Sequence, residues 1–251
     1  MTHNDPTHAG VALDQPNPLA DVPPAGSAPV SQRPMIRRIA KRYPGHYLPG
    51  YAKGKLRTDP AYAAVWHYLK GSNLPVLDLG CGIGLFEQYI RELGYTGLVV
   101  GVDPDESKIT AARHATRDLP DLTFNVGSAT DAIDFQGHVV ILDVLHYLRP
   151  EDQQALLHRL AEQVAPGGYC LIRATPRDSS WRYTFSRLEE CFVRLIGWMQ
   201  RPAVAFPTCD EITAPFQQRG YRVHVTPAWG KTPFNSYLFV FQRAAEGDQS
   251  G

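Results

Sequence analysis

The chain has 251 residues, of which 43% are hydrophobic and 20% charged, and its 25 basic and 25 acidic residues cancel to a formal charge of +0. This length is enough for one α/β domain with a buried core, and the neutral total gives no bulk electrostatic reason to bind nucleic acid or membrane. The four cysteines lie far apart without a C-x-x-C pair. Neither a zinc site nor a disulfide framework is therefore indicated.

Targeting signals are also missing from the pattern. No run approaches the roughly 18 apolar residues that a membrane-spanning helix needs, and the N-terminus lacks the basic and apolar regions of a signal peptide. We therefore expect a cytoplasmic protein without a membrane span. Composition does not predict its oligomeric state.

The chain opens on a segment, residues 1–31, that is rich in Pro, Ala, Gly and Asp and has no periodic apolar face. It cannot bury enough surface to offset its ordering entropy, so we predict a disordered tail, with another at 244–251. Residues 32–72 are interpreted as a basic N-terminal cap. Its 33–57 part has eight Lys or Arg residues, no acid and several tyrosines.

Within the cap, Met35 to Tyr43 can form a short helix. Pro44, Gly45, Pro49 and Gly50 then predict an irregular connection. Asp59 followed by Pro60 predicts the start of a further helix, because the acid caps it and proline suits the first turn.

The central feature is the stretch VLDLGCGIGLFE at residues 76–87. A short apolar run leads into three glycines at alternate positions, and an amphipathic segment from Leu85 to Leu93 follows at helical spacing. The pattern predicts a strand, a tight turn and a helix. Glycines are needed where the chain reverses and where its backbone touches a ligand, and the free N–H groups of the helix point into that turn.

The glycine spacing distinguishes between two nucleotide-type cofactors. A dinucleotide fold wants G-x-G-x-x-G, whose third glycine would fall on Leu85 instead of Gly84. The carboxylate of Asp78 also suits a positively charged ligand better than a pyrophosphate. The run VLDLGCGIG resembles motif I of the class I methyltransferases, which implies S-adenosylmethionine as cofactor.

The chain after this motif alternates strands and helices. Further strands are predicted at 98–103, 122–126, 139–143 and 169–174, and the last two, 221–226 and 237–242, form a hairpin. We therefore predict an α/β fold for residues 73–243: a doubly wound, mostly parallel, seven-stranded sheet ending in an antiparallel hairpin. A helical insertion is predicted at about 178–202, where an apolar stripe begins with Trp181 and Phe185 and continues through Phe192.

In a parallel sheet the ligand lies across the carboxyl ends of the strands. Asp103 ends the second strand, where a carboxylate can accept both ribose hydroxyls. The resemblance implies further cofactor contacts after the third and fourth strands. The predicted cofactor-binding residues are Asp78, Gly80, Cys81, Gly82, Gly84, Asp103, Ser128, Ala129 and Asp143. Ser128 stands where the family commonly has an acid, and Asp131 could be only a turn residue.

Two charged or titratable residues near the strand ends are candidates for chemistry. His146 is predicted to lie near the transferred methyl group, where a neutral imidazole could take a proton from the acceptor. The alternative is a histidine packed in the core. Arg173, near the end of the fifth strand, could bind a substrate carboxylate or pair with an acid such as Asp178.

The acceptor is less clearly indicated. There is no magnesium trio of the catechol type and no N-P-P-Y or D-P-P-Y run. The segments HYLPGYAKGKLRTDP, DSSWRYTF and PAWGKTPFNSY resemble bacterial methyltransferases found with aromatic polyene pigment pathways, which implies an aromatic or phenolic small molecule, free or on an acyl carrier protein. Two alternatives remain: an RNA methyltransferase or RNA-binding module using segment 33–57, and a non-catalytic binder that retains the fold.

Overall fold

The computed structural model describes residues 32–186, 205–229 and 233–245. The tail predicted at 1–31, the predicted insertion beyond residue 186 and the residues from 246 onward lie outside this description. The strands are β1 (Val76–Leu79), β2 (Val99–Asp103), β3 (Leu122–Val126), β4 (His138–Leu142), β5 (Tyr169–Ala174), β6 (Arg222–Pro227) and β7 (Tyr237–Gln242). The helices are α1 (Arg33–Lys41), α2 (Tyr47–Thr58), α3 (Ala61–Leu69), α4 (Leu85–Glu92), α5 (Glu106–Thr116), α6 (Pro150–Gln163) and α7 (Cys209–Gln217), with a 3-10 turn at Leu145–Tyr147.

These strands form one seven-stranded sheet in the order β3-β2-β1-β4-β5-β7-β6. Strands β1 to β5 pair in parallel, whereas β7 runs antiparallel to both β5 and β6. The predicted mostly parallel sheet with a terminal antiparallel hairpin is therefore confirmed. The parallel strands place the ends of β1, β2, β3 and β4 along one edge, which is where a ligand binds in such sheets.

The irregular connection predicted from Pro44 to Gly50 is wrong in its second half. Helix α2 begins at Tyr47 and includes both Pro49 and Gly50. Pro49 lies in the first turn, where a helix does not use the backbone N–H as a donor, so the proline is tolerated. The break between α1 and α2 falls instead at Pro44 and Gly45, and Gly45 has φ +72.

Alternation along β1 and β4 directs side chains to two different cores. Leu77 and Val139 belong to the cluster formed with α6 and α7, whereas Val76 and Val140 belong to the cluster formed with α1 to α4. Asp78 stands between Leu77 and Leu79, so its side chain faces α4 and the cap helices.

Helix α4 is enclosed on all sides. Its six residues from Leu85 to Ile90 are all buried, because the sheet covers one face and the cap helices cover the other. Tyr62 of α3 packs against Phe86 with ring centroids 5.6 Å apart, and Arg38 of α1 forms a 2.6 Å ion pair with Glu92. The cap is thus part of the same packed domain as the glycine turn. Across the described ranges no helix is long and apolar enough to cross a bilayer.

Candidate cofactor and acceptor site

The glycine turn between β1 and α4 is built from left-handed backbone. Gly80, Gly82 and Gly84 have φ values of +84, +57 and +77, which L-residues with a Cβ adopt only at a cost. A Cβ on Gly80 would lie 2.3 Å from a methyl carbon of Val144, whereas a Cβ on Gly82 would meet no atom within 4 Å. Gly80 is therefore needed for packing, and Gly82 borders open space.

Asp103, at the end of β2, braces this turn. One carboxylate oxygen accepts from the backbone N–H of Gly82 at 3.0 Å and the other from that of Asp105 at 2.9 Å. Asp105 itself caps α5 by accepting from the backbone N–H groups of Ser107 and Lys108. Asp103 is buried to 5% exposure, and each carboxylate oxygen retains a second lone pair for a ligand hydroxyl.

Two further acidic residues lie directly beneath the turn. Asp78 and Glu87, the third residue of α4, are 2% and 0% exposed. Burial raises the pKa of Asp78 to about 7, opposed by a hydrogen bond from Glu87 and reinforced by the charge of Asp103. Burial and the neighbouring charge of Asp78 raise the pKa of Glu87 as well. The two carboxyl groups therefore share at least one proton near neutral pH.

At the end of β3 a compact turn presents two of the predicted adenine contacts. The backbone N–H of Ser128 donates to the Asp131 carboxylate at 2.7 Å, and the Ser128 hydroxyl lies 2.7 Å from that of Thr130. The carbonyl of Ala129 accepts from Arg159 at 2.5 Å. Asp131 thus holds the turn together, which is the structural alternative that its sequence position left open.

Asp143 follows β4 and belongs to an ion network around the buried side chain of Arg173. Its backbone has φ +61, which is rare for a residue other than glycine, and its carboxylate pairs with the guanidinium of Arg173. Arg173 also pairs with Asp59, which in turn accepts from Lys55 at 2.6 Å. Burial opposes the charge of Arg173, but Asp143 and Asp59 more than offset it and raise the pKa of Arg173. Asp178, offered as a partner of Arg173, instead accepts from Asn235 at 2.9 Å.

His146 lies on the 3-10 turn after β4 and is 6% exposed. Its ring stacks on Phe206 with centroids 5.5 Å apart and an interplanar angle of 11°. The Gln153 side-chain amide holds this loop by donating to the carbonyls of Leu145, Leu148 and Ala205 at 2.9, 3.0 and 2.9 Å. The histidine is therefore packed between aromatic rings, in a loop whose backbone is fixed.

Aromatic side chains collect beyond the end of β5. Residues 181–186 are helical, and Trp181 and Phe185 are 64% and 40% exposed. The guanidinium of Arg182 lies 4.8 Å from the ring of Trp181 and 4.6 Å from that of Trp229. Trp181 and Phe185, which begin the predicted apolar stripe, are thus not part of the buried core. The middle of the stripe, including Phe192, lies outside the described residues.

These features fit a ligand with a positively charged group and a ribose. The carboxyl oxygen Oδ1 of buried Asp78 has no hydrogen-bond donor among the described residues, which a ligand ammonium would supply. Asp103 offers acceptors at the neighbouring strand end, and the backbone of Gly82 leaves the room that a side chain would fill. Within the described residues no group of three or more metal-ligating side chains occurs.

Sequence patterns missed three residues of this site. Glu87 fell on the polar side of a predicted amphipathic helix, but that side is buried beside Asp78 and Gly101 of the sheet. Tyr43 donates from its hydroxyl to the carbonyl of Ile83 at 2.7 Å and so ties α1 to the glycine turn. Asp59 was interpreted as a helix cap, and its carboxylate does accept a hydrogen bond from the backbone N–H of Ala61 at 2.9 Å. Its ion pair with Arg173 joins residues 114 positions apart, so no local sequence pattern indicated it.

Comparison with known proteins agrees with this geometry. Residues 76–168 match a family described as "Methyltransferase domain". Ubiquinone biosynthesis O-methyltransferase of Nitrobacter winogradskyi is 28% identical over 153 residues, 59% of this chain and 57% of that protein. Ribosomal protein L11 methyltransferase of Burkholderia mallei is 33% identical over 94 residues, 37% of this chain and 29% of that protein.

Among solved structures, magnesium protoporphyrin IX methyltransferase from Synechocystis PCC 6803 with bound SAH has a TM-score of 0.59 and 18% identity. The alignment covers 86% of this chain and 95% of that one, so the likeness in fold extends beyond the matched domain. The chain spans little more than half the length of the ubiquinone relative and less of the L11 relative. Residues 76–168 thus match a methyltransferase domain, and the glycine motif and the strand order agree with the class I methyltransferase fold.

Proposed function

We propose that this chain transfers a methyl group from S-adenosylmethionine to a small-molecule acceptor of aromatic or phenolic character, free or attached to an acyl carrier protein. The observation that carries methyl transfer is the left-handed glycine turn between the buried carboxyl groups of Asp78 and Asp103. Together they offer acceptors to an ammonium group and to ribose hydroxyls while leaving open space above Gly82. No phosphate ligand would be favoured beside these acids.

The cofactor would be held by residues from four strand ends. Asp78 and the backbone of Gly80, Cys81, Gly82 and Gly84 serve the methionine arm, and Asp103 serves the ribose. Ser128 and Ala129 face the adenine, and Asp143 lies at the strand end beside the turn. Arg173 orients Asp143, because its buried guanidinium pairs with that carboxylate.

Catalysis in this class depends on orientation and on removal of one proton. When bound, S-adenosylmethionine supplies an electrophilic methyl group on a positively charged sulfur. His146, in its neutral form, accepts the proton of an acceptor hydroxyl or amine. The ring of Phe206 and the loop held by Gln153 exclude water from one side of the imidazole.

The acceptor class is supported by the exposed aromatic side chains and by one relative. Trp181 and Phe185 follow directly from the carboxyl end of β5 and offer flat apolar surface to an aromatic ring. The relative matched over the larger share of this chain is an O-methyltransferase of ubiquinone biosynthesis. An oxygen nucleophile on an aromatic ring agrees with both observations.

Thermal unfolding with added ligand tests the cofactor assignment. S-adenosylhomocysteine should raise the melting temperature by mass action, and NADH should not. Gly82→Val should abolish the shift, because its side chain fills the space above the turn. Gly94→Val is the matched control: Gly94 also has a positive φ, +95, and open space around its Cα, but it lies at the other end of α4. A shift with NADH alone would contradict the proposal.

Turnover of a panel of phenols, aryl amines and carrier-bound aryl acids, with S-adenosylhomocysteine release as readout, tests the acceptor. Trp181→Ala should lower turnover while leaving folding and the ligand-induced shift intact. Phe216→Ala, whose side chain is fully buried, is the core control and should cost about 3–5 kcal/mol of unfolding free energy. If Trp181→Ala destabilises the fold as much, the aromatic wall must lie elsewhere.

A further inference from the structure

Three carboxyl groups are buried together beneath the glycine turn. Asp78, Glu87 and Asp103 are each no more than 5% exposed. Buried acids usually have a basic partner, since an unpaired charge in the interior is costly. Asp103 satisfies its oxygens with two backbone N–H donors, whereas Oδ1 of Asp78 and both oxygens of Glu87 have no donor among the described residues.

The fold makes room for this arrangement. Asp78 faces α4 because its neighbours along β1 face the opposite core. Gly101 is its register partner on β2, and a Cβ at Gly101 would lie 2.9 Å from a carboxyl oxygen of Glu87. A glycine in the middle of a strand normally weakens it, so here its absence of a side chain provides the space for Glu87.

Every element packed against the pair contributes a neutral or acidic group. Asp103 comes from β2, Cys81 from the turn, Tyr43 from the connection after α1 and Tyr62 from α3. Burial raises the pKa of Cys81 and of both tyrosines, so these three stay uncharged at neutral pH. None of these groups is basic, so within the described part of the chain the pair can balance its charge only with protons or with a cationic ligand.

We propose that Glu87 is a positioning residue for the cofactor: it stays protonated and donates a hydrogen bond to Asp78, which releases its own proton to water on cofactor binding. This inference rests on the proposed function and concerns the same site. Glu87 has the higher proton affinity of the two, because it is fully buried and lies against the charge of Asp78. Asp78 lies closer to the turn along the chain and is the acid that meets the ligand's positive charge.

Calorimetric titration of the full chain with S-adenosylhomocysteine, at several pH values and in buffers of different ionisation enthalpy, tests the inference. Binding should release protons at pH 6.0, and affinity should be about eightfold weaker at pH 6.0 than at pH 7.5, because Asp78 must give up a proton with a pKa of about 7. Unchanged affinity and no proton release across this range would overturn the inference. Absence of binding at every pH would instead overturn the proposed function.

Two substitutions separate positioning from packing. Glu87→Gln keeps a donor to Asp78 and should bind S-adenosylhomocysteine about as well as the native chain at pH 7.5. Glu87→Leu removes that donor, so the pH midpoint of binding should move upward and affinity should recover at higher pH. Glu106→Gln removes an exposed carboxylate of α5 and should change neither value. If Glu87→Gln and Glu87→Leu lose affinity equally and neither recovers with pH, Glu87 only packs.

Discussion

Two groups of acidic residues lie at the same edge of the sheet, and they differ in how their charge is balanced. Asp59 and Asp143 surround Arg173 and also receive Lys55, so every charge there is balanced within the chain. Asp78 and Glu87 lie under the glycine turn, and no described residue next to them is basic. The pKa of Asp59 is lowered because Arg173 and Lys55 outweigh its burial, whereas that of Asp78 is raised.

The difference distinguishes acidic residues that stabilise the fold through ion pairs from acidic residues that are left to bind a positively charged ligand. The Arg173 network, which we call the paired site, joins the cap to the ends of β4 and β5 and is complete without a ligand. We call Asp78 and Glu87 the unpaired site, because burying their negative charge costs free energy until a cation binds. A buried acid that the chain does not neutralise is thus the better indicator of where a positively charged ligand binds.

The largest expected effect comes from breaking the paired site. Arg173→Leu leaves two carboxylates, Asp59 and Asp143, with Lys55 as their remaining cation and should cost about 3–5 kcal/mol of unfolding free energy, measured by urea denaturation. Arg37→Leu removes an exposed arginine of α1 and should stay within about 0.5 kcal/mol. Equal losses in the two variants would mean that the paired site contributes no stability.

The free energy of unfolding should change with pH in opposite directions at the two sites. Asp59 has a lowered pKa, so its contribution is present above about pH 4 and is lost as the pH falls below that value. Asp78 has a raised pKa, so the stability linked to it is present below about pH 4 and is lost as the pH rises through about 7. Across that rise the unliganded chain should lose about 2–4 kcal/mol.

Asp78→Asn is the variant that checks this second slope. An amide does not ionise, so the loss between pH 4 and pH 7 should flatten, while binding of S-adenosylhomocysteine weakens. A variant that keeps the native slope would assign the pH dependence to other groups.

A smaller effect is expected where the cap reaches the glycine turn. Tyr43→Phe removes the hydroxyl that donates to the buried carbonyl of Ile83 and should cost about 1–2 kcal/mol by thermal or urea unfolding. It should also weaken S-adenosylhomocysteine binding, because the turn loses its support. Tyr51→Phe, at an exposed position on α2, should change neither. A ligand affinity that survives Tyr43→Phe would show that the turn holds its shape without the cap.

The smallest effect on stability is expected on the exposed basic face of α2. Lys55 belongs to the paired site through Asp59, so the informative charge reversals are Lys53→Glu and Arg57→Glu, both exposed. Together they should change stability by less than about 0.5 kcal/mol. If this face docks an acidic carrier protein, they should raise the KM for a carrier-bound acceptor at low salt more than at high salt. Equal KM values would indicate a solvated surface.

The sequence alone determined the fold and the cofactor class, because both depend on local patterns. The alternation of apolar runs with helical segments predicted the six strands after the glycine turn to within one residue at each end. The first strand and the cofactor followed from the resemblance of VLDLGCGIG to a methyltransferase motif. The N-cap of helix α5 also depends only on local sequence, because Asp105 accepts hydrogen bonds from residues two and three positions away. Short-range geometry of this kind is encoded in the order of the residues.

Only the tertiary structure decided which charges are paired. The pattern predicted Asp178 as one partner of Arg173, but Asp59 and Asp143 reach it from 114 and 30 positions away. It also left Glu87 on a polar helix face, which packing against Asp78 and Gly101 of the sheet then buries. Helix α2 extends through Pro49 and Gly50 because tertiary packing of Ala52 and Leu56 outweighs weak local propensity. Burial and partner charge are properties of the packed chain, and here they decide which acid is structural and which is left for a ligand.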